Sequence, residues 1–210
     1  MKSKTTWFKS ILLAGCFSLC MSAPHAQNWE VDIIKNANPM VPNSSFWKTI
    51  TRSSKPVSYS LPVVLLAASI AWENKPLQHQ ALETFGTLAI TAITTQGIKL
   101  IVNRQRPYEK YAGIYPDIYQ NGKSFVSGHT SLAFGTATTL SIIYKKWYVV
   151  VPAYAWASSI AYSRLYFGQH YPTDLMGAAV VGAGSAWLSH KANKWLQRSK
   201  HNGVNPTPTL

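Results

Sequence analysis

The residues of this sequence that could do chemistry fall into three short patterns, and the first pairs two cations. Lys99 is followed seven positions later by Arg106, and Pro107 comes next. Seven residues are about two helical turns, so we expect both cations on one helix face, and Pro107 predicts that the helix ends near Arg106. Two cations at the end of an apolar helix could clamp a phosphate. Side chains that only reach toward a membrane surface would give the same pattern.

The second pattern is Ser127-Gly128-His129, which lies just before an apolar segment. Serine at a helix start normally caps the first turn, and for the tripeptide alone this explanation is favoured. The same position also presents backbone N–H groups that bind anions, and Gly128 lets a ligand approach the backbone closely. Because a histidine beside such a site can protonate a leaving oxygen, the tripeptide is also a candidate phosphate site with a general acid.

The third pattern, Ser163-Arg164-x5-His170-x3-Asp174, is the most specific of the three. Four residue types at fixed spacing match by chance about once in 10⁵ starting positions at average residue usage. Pro172 suits the first turn of a helix, which places Asp174 near a helix N-terminus, where a carboxylate complements the helix dipole. A carboxylate within reach of an imidazole would instead fix its tautomer and support its positive charge.

Apolar segments that read as helices must position these patterns. They lack the period-two alternation of β-strands, so we predict an all-α helical bundle with five to six transmembrane helices. None is an unbroken run of about 20 apolar residues, the length that spans a bilayer. Several are rich in Ala, Gly, Ser and Thr, which suits close packing of membrane helices; Gly135, Gly182 and Gly184 fit that use. The segments are Ser58–Trp72, Thr84–Val102, Ser131–Tyr144, Trp147–Tyr162 and Leu175–Leu188.

Composition favours a chain that faces lipid over part of its surface. Charged residues are 13% of the 210 residues, about half the usual share of roughly 25%. Aromatic residues are 12%, which excludes a disordered chain. Both cysteines lie within the first twenty residues, which excludes a disulfide-stapled mini-protein. The mean hydropathy of −0.03 is low for a membrane protein, so the membrane interpretation depends on the individual segments.

The net charge of +13 is spread over small basic groups that flank apolar segments. If residues 27–60 are exported, Lys145, Lys146 and the basic cluster in 191–200 lie inside, as the positive-inside rule requires. The basic loop Asn103–Val126 then lies outside, which suggests positive charge kept for an anionic substrate. The sequence has no dense basic stripe and no recognised nucleic-acid motif, so we expect no nucleic-acid partner.

The N-terminal residues 1–26 resemble a secretory signal, with a basic start, an apolar centre and small residues at Ala23 and Ala26. Lipidation at Cys16 and an uncleaved first membrane helix are alternatives. The predicted organisation is a signal peptide over 1–26, an exported surface lead-in over 27–60, a helical bundle over 61–198 and a flexible tail over 199–210.

Together, the three patterns resemble the signature of the type 2 phosphatidic acid phosphatase superfamily, which includes bacterial class A acid phosphatases and vanadium haloperoxidases. The resemblance covers about residues 61–188. It departs from the family at Val126, where a proline is usual, and proline would pre-set that turn. The matching residues are Lys99, Arg106 and Pro107, then Ser127, Gly128 and His129, then Ser163, Arg164, His170 and Asp174.

The resemblance implies phosphoryl transfer in two steps. His170 would be the nucleophile that forms a phosphohistidine, Asp174 would orient it, and His129 would protonate the leaving oxygen and then activate water. The sequence shows no cluster of metal ligands, and phosphoryl transfer needs mostly positioning and charge stabilisation, so we expect neither metal nor cofactor. The residues implied to hold the phosphoryl oxygens are Lys99, Arg106, Ser127, Gly128 and Arg164.

The expected function is metal-independent hydrolysis of a phosphate or diphosphate ester of a membrane lipid. Candidate substrates are phosphatidic acid, phosphatidylglycerol phosphate, undecaprenyl pyrophosphate and lipid A. The enzyme would lie in the bacterial inner membrane with its active site facing the periplasm. One alternative is a soluble periplasmic acid phosphatase of the same superfamily, which the low hydropathy and short apolar runs favour. A membrane scaffold with an inactive site is the non-enzymatic alternative, and the short chain disfavours a haloperoxidase.

Overall fold

The computed structural model describes residues 26–202, with side-chain surroundings for residues 29–198. Over this range the chain is helical and has no β-strand, which confirms the predicted all-α bundle. Residues 1–25 of the predicted signal segment lie outside the described residues. The helices are α1 (Ala26–Ala37), α2 (Ser45–Ala71), α3 (Lys75–Val102), the single turn α4 (Pro107–Lys110), α5 (Gly128–Tyr144), α6 (Trp147–Tyr166) and α7 (Pro172–Asn202).

Helix α5 is the centre of the bundle and contacts α2, α3, α6 and α7. Its backbone lies against that of α7, since a Cβ atom added at Gly182 would be 2.3 Å from Ser131 O and 2.6 Å from Gly135 N. Gly135 and Gly182 therefore form the close helix contact that the small residues predict. Gly184 faces open space, which differs from the prediction, because two residues turn a helix by about 200° and place it on the opposite face.

The interior of the bundle is lined largely by small and hydroxyl side chains. Thr136 Oγ1 donates to Ser58 Oγ at 2.8 Å, and the hydroxyls of Thr87 and Thr139 lie 3.0 Å apart, so these contacts join α5 to α2 and α3.

Two described segments, Ser45–Ala71 and Lys75–Lys110, are long and apolar enough to cross a membrane. Many large apolar side chains lie on the outer surface of the bundle. Among them are Val63, Val64, Ile93, Leu100, Ile101 and Val180.

Helix α2 begins at Ser45, so the predicted boundary between lead-in and bundle at residue 60 falls inside a helix. Ser44 caps it by accepting a hydrogen bond from the Trp47 N–H. The first half of α2 has no long apolar run because its buried face carries hydroxyls, for example Ser54, which donates to the carbonyl of Thr51. At the other end, α7 continues through Asn202, so residues 199–202 of the predicted tail are helical, and 203–210 lie outside the described residues.

Helix α1 is packed into the molecule rather than lying on its surface as predicted. Val31 and the fully buried Ile34 form a cluster with Ile114 and Tyr171. The helix also buries a charged residue, because Glu30 is only 4% exposed. Helix α1 therefore lies on the loops at one end of the bundle, the end at which α3 and α6 finish and α5 and α7 begin.

Candidate active site

The three sequence patterns meet at the end of the bundle that α1 covers. Arg164 comes from the last turn of α6, Ser127 immediately precedes α5, and Asp174 lies in the first turn of α7. His170 lies in the short loop between α6 and α7. All these side chains are buried, as is Arg106 on the loop after α3. The structure thus brings together residues that the sequence separates by almost seventy positions.

His170 lies between a carboxylate and a guanidinium. Its Nδ1 is 3.5 Å from Oδ2 of Asp174, an ion-pair contact that is not a hydrogen bond, and its Nε2 is 3.5 Å from Nη1 of Arg106. The carboxylate favours the proton on Nδ1, which leaves the lone pair on Nε2, the nitrogen that faces the cation. The Nε2 lone pair is therefore on the side of the ring where Arg106 lies.

Burial sets the protonation state of this histidine. Loss of solvation lowers the pKa of His170 to about 4, and the positive charges of Arg164 and Arg106 act in the same direction. The Asp174 carboxylate opposes this shift and is the group that would stabilise positive charge on the ring. At neutral pH His170 is therefore neutral, which is the form that has a lone pair to donate.

The backbone between Lys99 and Arg106 differs from the prediction, because the helix that carries Lys99 ends before Arg106. Helix α3 ends at Val102 because Asn103 adopts a left-handed conformation with φ of 51°, which asparagine tolerates. Pro107 does not end α3; it begins α4, where its missing N–H has no cost, and Arg106 precedes it on extended backbone. The two cations still converge, because Lys99 donates to the Lys123 carbonyl at 2.6 Å and Arg106 donates to the Gly122 carbonyl at 3.1 Å.

One segment of the long loop, Gln120–Lys123, holds three of the predicted phosphate-binding cations. Besides the two carbonyls that bind Lys99 and Arg106, the Gln120 side-chain carbonyl accepts from Nη2 of Arg164 at 3.5 Å. Nη1 of Arg164 donates to Thr51 on α2 at 3.1 Å. These contacts fix the direction of each cationic group while leaving further N–H donors on each of them.

The Ser127-Gly128-His129 tripeptide forms the start of α5, as predicted. Ser127 does not cap the helix with its side chain, which instead accepts from the Thr130 hydroxyl at 3.0 Å. Its backbone N–H donates to the carbonyl of Asp174 at 3.3 Å and so ties α5 to α7. His129 is half-buried beside the other groups, and the charges of Arg164 and Lys99 act on its imidazole.

Val126, the residue that replaces the expected proline, is buried and helps to anchor its loop. A Cβ atom added at Gly177 of α7 would lie 3.1 Å from Cγ1 of Val126 and 2.9 Å from Cζ of Phe125. The loop before Ser127 therefore packs directly on the backbone of α7. This contact restrains the turn that a proline would restrain through its ring.

Several polar residues of the site were missed by the sequence reading. Gln169 is fully buried, its backbone carbonyl accepts from Arg106 at 3.0 Å, and its side chain donates to the Ile118 carbonyl at 2.8 Å. Ser124 and Arg104 both donate to the Asp174 carboxylate. The available signal was proximity in sequence, since Gln169 adjoins His170 and Arg104 lies two residues before Arg106. Among the described residues, no group of three or more His, Cys, Asp and Glu is arranged to hold a metal.

Comparisons with known proteins agree with this geometry. The chain matches the PAP2 superfamily over residues 80–198. It is 33% identical over 110 residues to a lipid A 4'-phosphatase of Bacteroides thetaiotaomicron, and 24% identical over 135 residues to the bacitracin transport permease protein BcrC of Bacillus licheniformis. These matches cover 48% and 61% of this chain, and 49% and 64% of the respective relatives.

Two solved structures share the fold. The Aquifex aeolicus LpxE structure superposes with a TM-score of 0.60 at 23% identity, over 77% of this chain and 92% of that one. A transmembrane PAP2 type phosphatidylglycerolphosphate phosphatase from Bacillus subtilis gives a TM-score of 0.65 at 18% identity, over 92% of this chain and 97% of that one.

Proposed function

We propose, from the premise that this chain belongs to the PAP2 superfamily, that it is a phosphatase that hydrolyses phosphate or diphosphate esters of membrane lipids. The observation that carries this proposal is the arrangement around His170. Its Nε2 faces a guanidinium, its Nδ1 faces a carboxylate, and two further cations converge on the same end of the bundle.

In the first chemical step, Nε2 of His170 attacks the phosphorus atom and forms a P–N bond. The P–O bond to the lipid breaks, and His129 gives a proton to the leaving oxygen. His129 carries that proton once the negative charge of the bound phosphate offsets its burial and the neighbouring cations. In the second step, His129 takes a proton from water, whose oxygen attacks phosphorus and breaks the P–N bond. Phosphate leaves and neutral His170 is restored. Asp174 stabilises the positive charge that the ring carries between the two steps.

The cations hold the phosphoryl oxygens while this exchange takes place. Lys99, Arg106 and Arg164 are already oriented by the Gln120–Lys123 segment, so little reorganisation is needed when charge builds up in the transition state. Ser127 and the N–H of Gly128 at the start of α5 add neutral donors and the positive end of a helix dipole. These groups supply the charge stabilisation on which phosphoryl transfer depends.

The membrane-lipid part of the proposal rests on the surface of the bundle and on the relatives. Large apolar side chains point away from a hydroxyl-lined interior, as expected where lipid is the solvent. The names of a curated relative and a solved structure point to lipid A and phosphatidylglycerol phosphate. Phosphatidic acid is likewise a phosphomonoester, and undecaprenyl pyrophosphate presents a terminal phosphoryl group on a diphosphate. Lys145 and Lys146 lie at the end opposite the site, and by the positive-inside rule this supports a site on the periplasmic face of the inner membrane.

The test is phosphate release by detergent-purified full-length protein in the presence of EDTA. The panel holds lipid A, phosphatidylglycerol phosphate, phosphatidic acid, undecaprenyl pyrophosphate and one soluble phosphomonoester. We expect release from at least one lipid, complete loss in His170→Ala, and a loss of about 10²–10⁴-fold in His129→Ala, because a general acid contributes that much to a rate.

Each other outcome has a definite meaning. Near-normal release by His170→Ala would contradict the phosphohistidine mechanism. Release from the soluble ester alone would favour the periplasmic acid phosphatase, and no release together with no trappable phosphoenzyme would favour a scaffold with an inactive site.

A further inference from the structure

We infer that Arg104 and Glu30 are positioning residues for the His170–Asp174 pair, and that α1 is therefore a working part of the active site. The inference rests on the proposed function, because it concerns how the nucleophile of that reaction is oriented. Neither residue belongs to the three sequence patterns. Glu30 lies far outside the stretch of residues 80–198 that matches the family.

Arg104 bridges two carboxylates with the two arms of its guanidinium. Nη1 donates to Oδ1 of Asp174 at 2.7 Å, and Nη2 donates to Oε2 of Glu30 at 2.7 Å. The guanidinium carbon lies 3.7 Å from the centroid of the Tyr171 ring, so the group is also held from one face. A planar fork with divergent donors makes this bridge, whereas a lysine ammonium is a point charge on a flexible stem.

Glu30 reaches the same turn of α7 by a second route. Its Oε1 accepts from the backbone N–H of Thr173 at 3.1 Å and from the Thr173 hydroxyl at 2.5 Å. Thr173 immediately precedes Asp174 in the chain. The carboxylate of α1 therefore fixes both the backbone that carries Asp174 and the arginine that holds its side chain.

The Asp174 carboxylate is left with a single orientation by these contacts. Arg104 occupies Oδ1, while the Tyr171 N–H at 2.9 Å and the Ser124 hydroxyl occupy Oδ2, the oxygen that faces Nδ1 of His170. If Arg104 is removed, Oδ1 of a fully buried carboxylate loses its charged partner, and the group can turn about the contacts that remain at Oδ2. The direction of the His170 lone pair then varies, which slows the attack on phosphorus without weakening the cations that bind substrate.

The experiment compares steady-state kinetics of Arg104→Gln, Arg104→Lys and Glu30→Gln with the unaltered protein. The substrate is the lipid of the panel above that the unaltered protein hydrolyses fastest. We expect kcat about 10²-fold lower in Arg104→Gln, because small displacements of reacting groups have effects of that size. We expect KM within about twofold, a smaller loss for Arg104→Lys, and a less than additive loss when Glu30→Gln is added to Arg104→Gln, since the two residues share one contact.

The matched control is Glu83→Gln. Glu83 is as buried as Glu30 and is paired with Nδ1 of His190 at 2.9 Å, but it lies on α3 sixteen residues before Lys99, about 24 Å along the helix. Loss of that carboxylate should leave kcat unchanged. An equal fall of kcat in Glu83→Gln would show that a buried charge matters only for folding, and would overturn the inference.

A pH profile separates positioning from a structural role. His170 is faced by Asp174 from α7, Arg106 from the loop before α4, Arg164 from α6 and His129 from α5. In Arg104→Gln the charge of Asp174 is no longer shared with a cation, so it acts more strongly on the imidazole. The acid limb of kcat/KM should then move to higher pH.

The two hypotheses fail in different ways. If the unaltered protein releases phosphate from no substrate, the proposed function fails. If it is active and Arg104→Gln keeps both kcat and the pH profile, the positioning inference fails while the proposed function stands.

Discussion

At the scale of single residues, the site depends on the two contacts of His170 with groups of opposite charge. Its Nδ1 faces the Asp174 carboxylate, and its Nε2 faces the Arg106 guanidinium. The spacing left two roles for Asp174 open, and the resemblance to the family implied its pairing with His170. In the structure Pro172 starts a helix between the two residues, and Oδ2 of Asp174 lies 3.5 Å from Nδ1 of His170. The contact between Arg104 and Glu30 was beyond prediction. Those residues are 74 positions apart, and no local rule relates a charge on an amphipathic helix to a loop that distant.

The protonation of His170 predicts the acid side of the activity profile. Burial lowers its pKa to about 4, so the ring keeps its nucleophilic lone pair as pH falls through 6.5 and loses it only near pH 4. We expect the loss of kcat/KM that His170 causes on the acid side, corrected for ionisation of the substrate phosphate near pH 6, to be centred near pH 4. A fall centred near pH 6.5, the ordinary histidine value, would show that the ring is solvated.

At the scale of secondary structure, the helices were predicted where apolar residues are continuous and missed where the buried face is polar. The existence of α3, α5, α6 and α7 followed from apolar runs, whereas the first half of α2 did not, because its inward side chains are serine and threonine. The sequence predicts the end of α3 near Arg106, because Pro107 is a strong helix-ending signal. The helix ends earlier, at Val102, because Asn103 adopts the left-handed conformation.

The contact between α5 and α7 predicts opposite effects for two neighbouring glycines. In Gly182→Ala the added Cβ meets the backbone of α5, which cannot move aside as a flexible side chain could, so we expect a loss of about 1–3 kcal/mol of stability. In Gly184→Ala the Cβ enters open space and replaces a flexible residue inside a helix, so we expect unchanged or slightly higher stability. Thermal unfolding in detergent, followed by circular dichroism, measures both; equal midpoints for the two variants would contradict the packing.

At the scale of the whole molecule, the distribution of side chains differs from that in a water-soluble bundle. Hydroxyl side chains such as those of Thr84, Thr87 and Ser131 are fully buried, while leucines, isoleucines and tryptophans of α2, α3 and α7 are exposed. Composition indicated the membrane only weakly, since an average hydropathy does not record which face a residue occupies.

This surface predicts that the protein is integral to the membrane. After extraction of membranes with alkaline carbonate, we expect the full-length protein to remain in the pellet, because its exposed apolar helices would have to enter water on release. A peripheral protein held by its basic residues serves as the control, since carbonate releases it. Appearance of this chain in the supernatant would favour the soluble periplasmic alternative.

The hydroxyl-lined interior also bears on how such a bundle is assembled. Many of its hydroxyls already donate to a carbonyl of their own helix, as Thr87 does to Glu83 O and Thr84 does to Gln80 O. A helix of this kind can enter the bilayer alone with its polar groups satisfied, and association can follow as a separate stage. Glu83 is different, because its side chain finds its partners, His190 and Asn193, on α7. Docking of α7 on α3 is thus the step at which a carboxylate within the bundle first gains its partners.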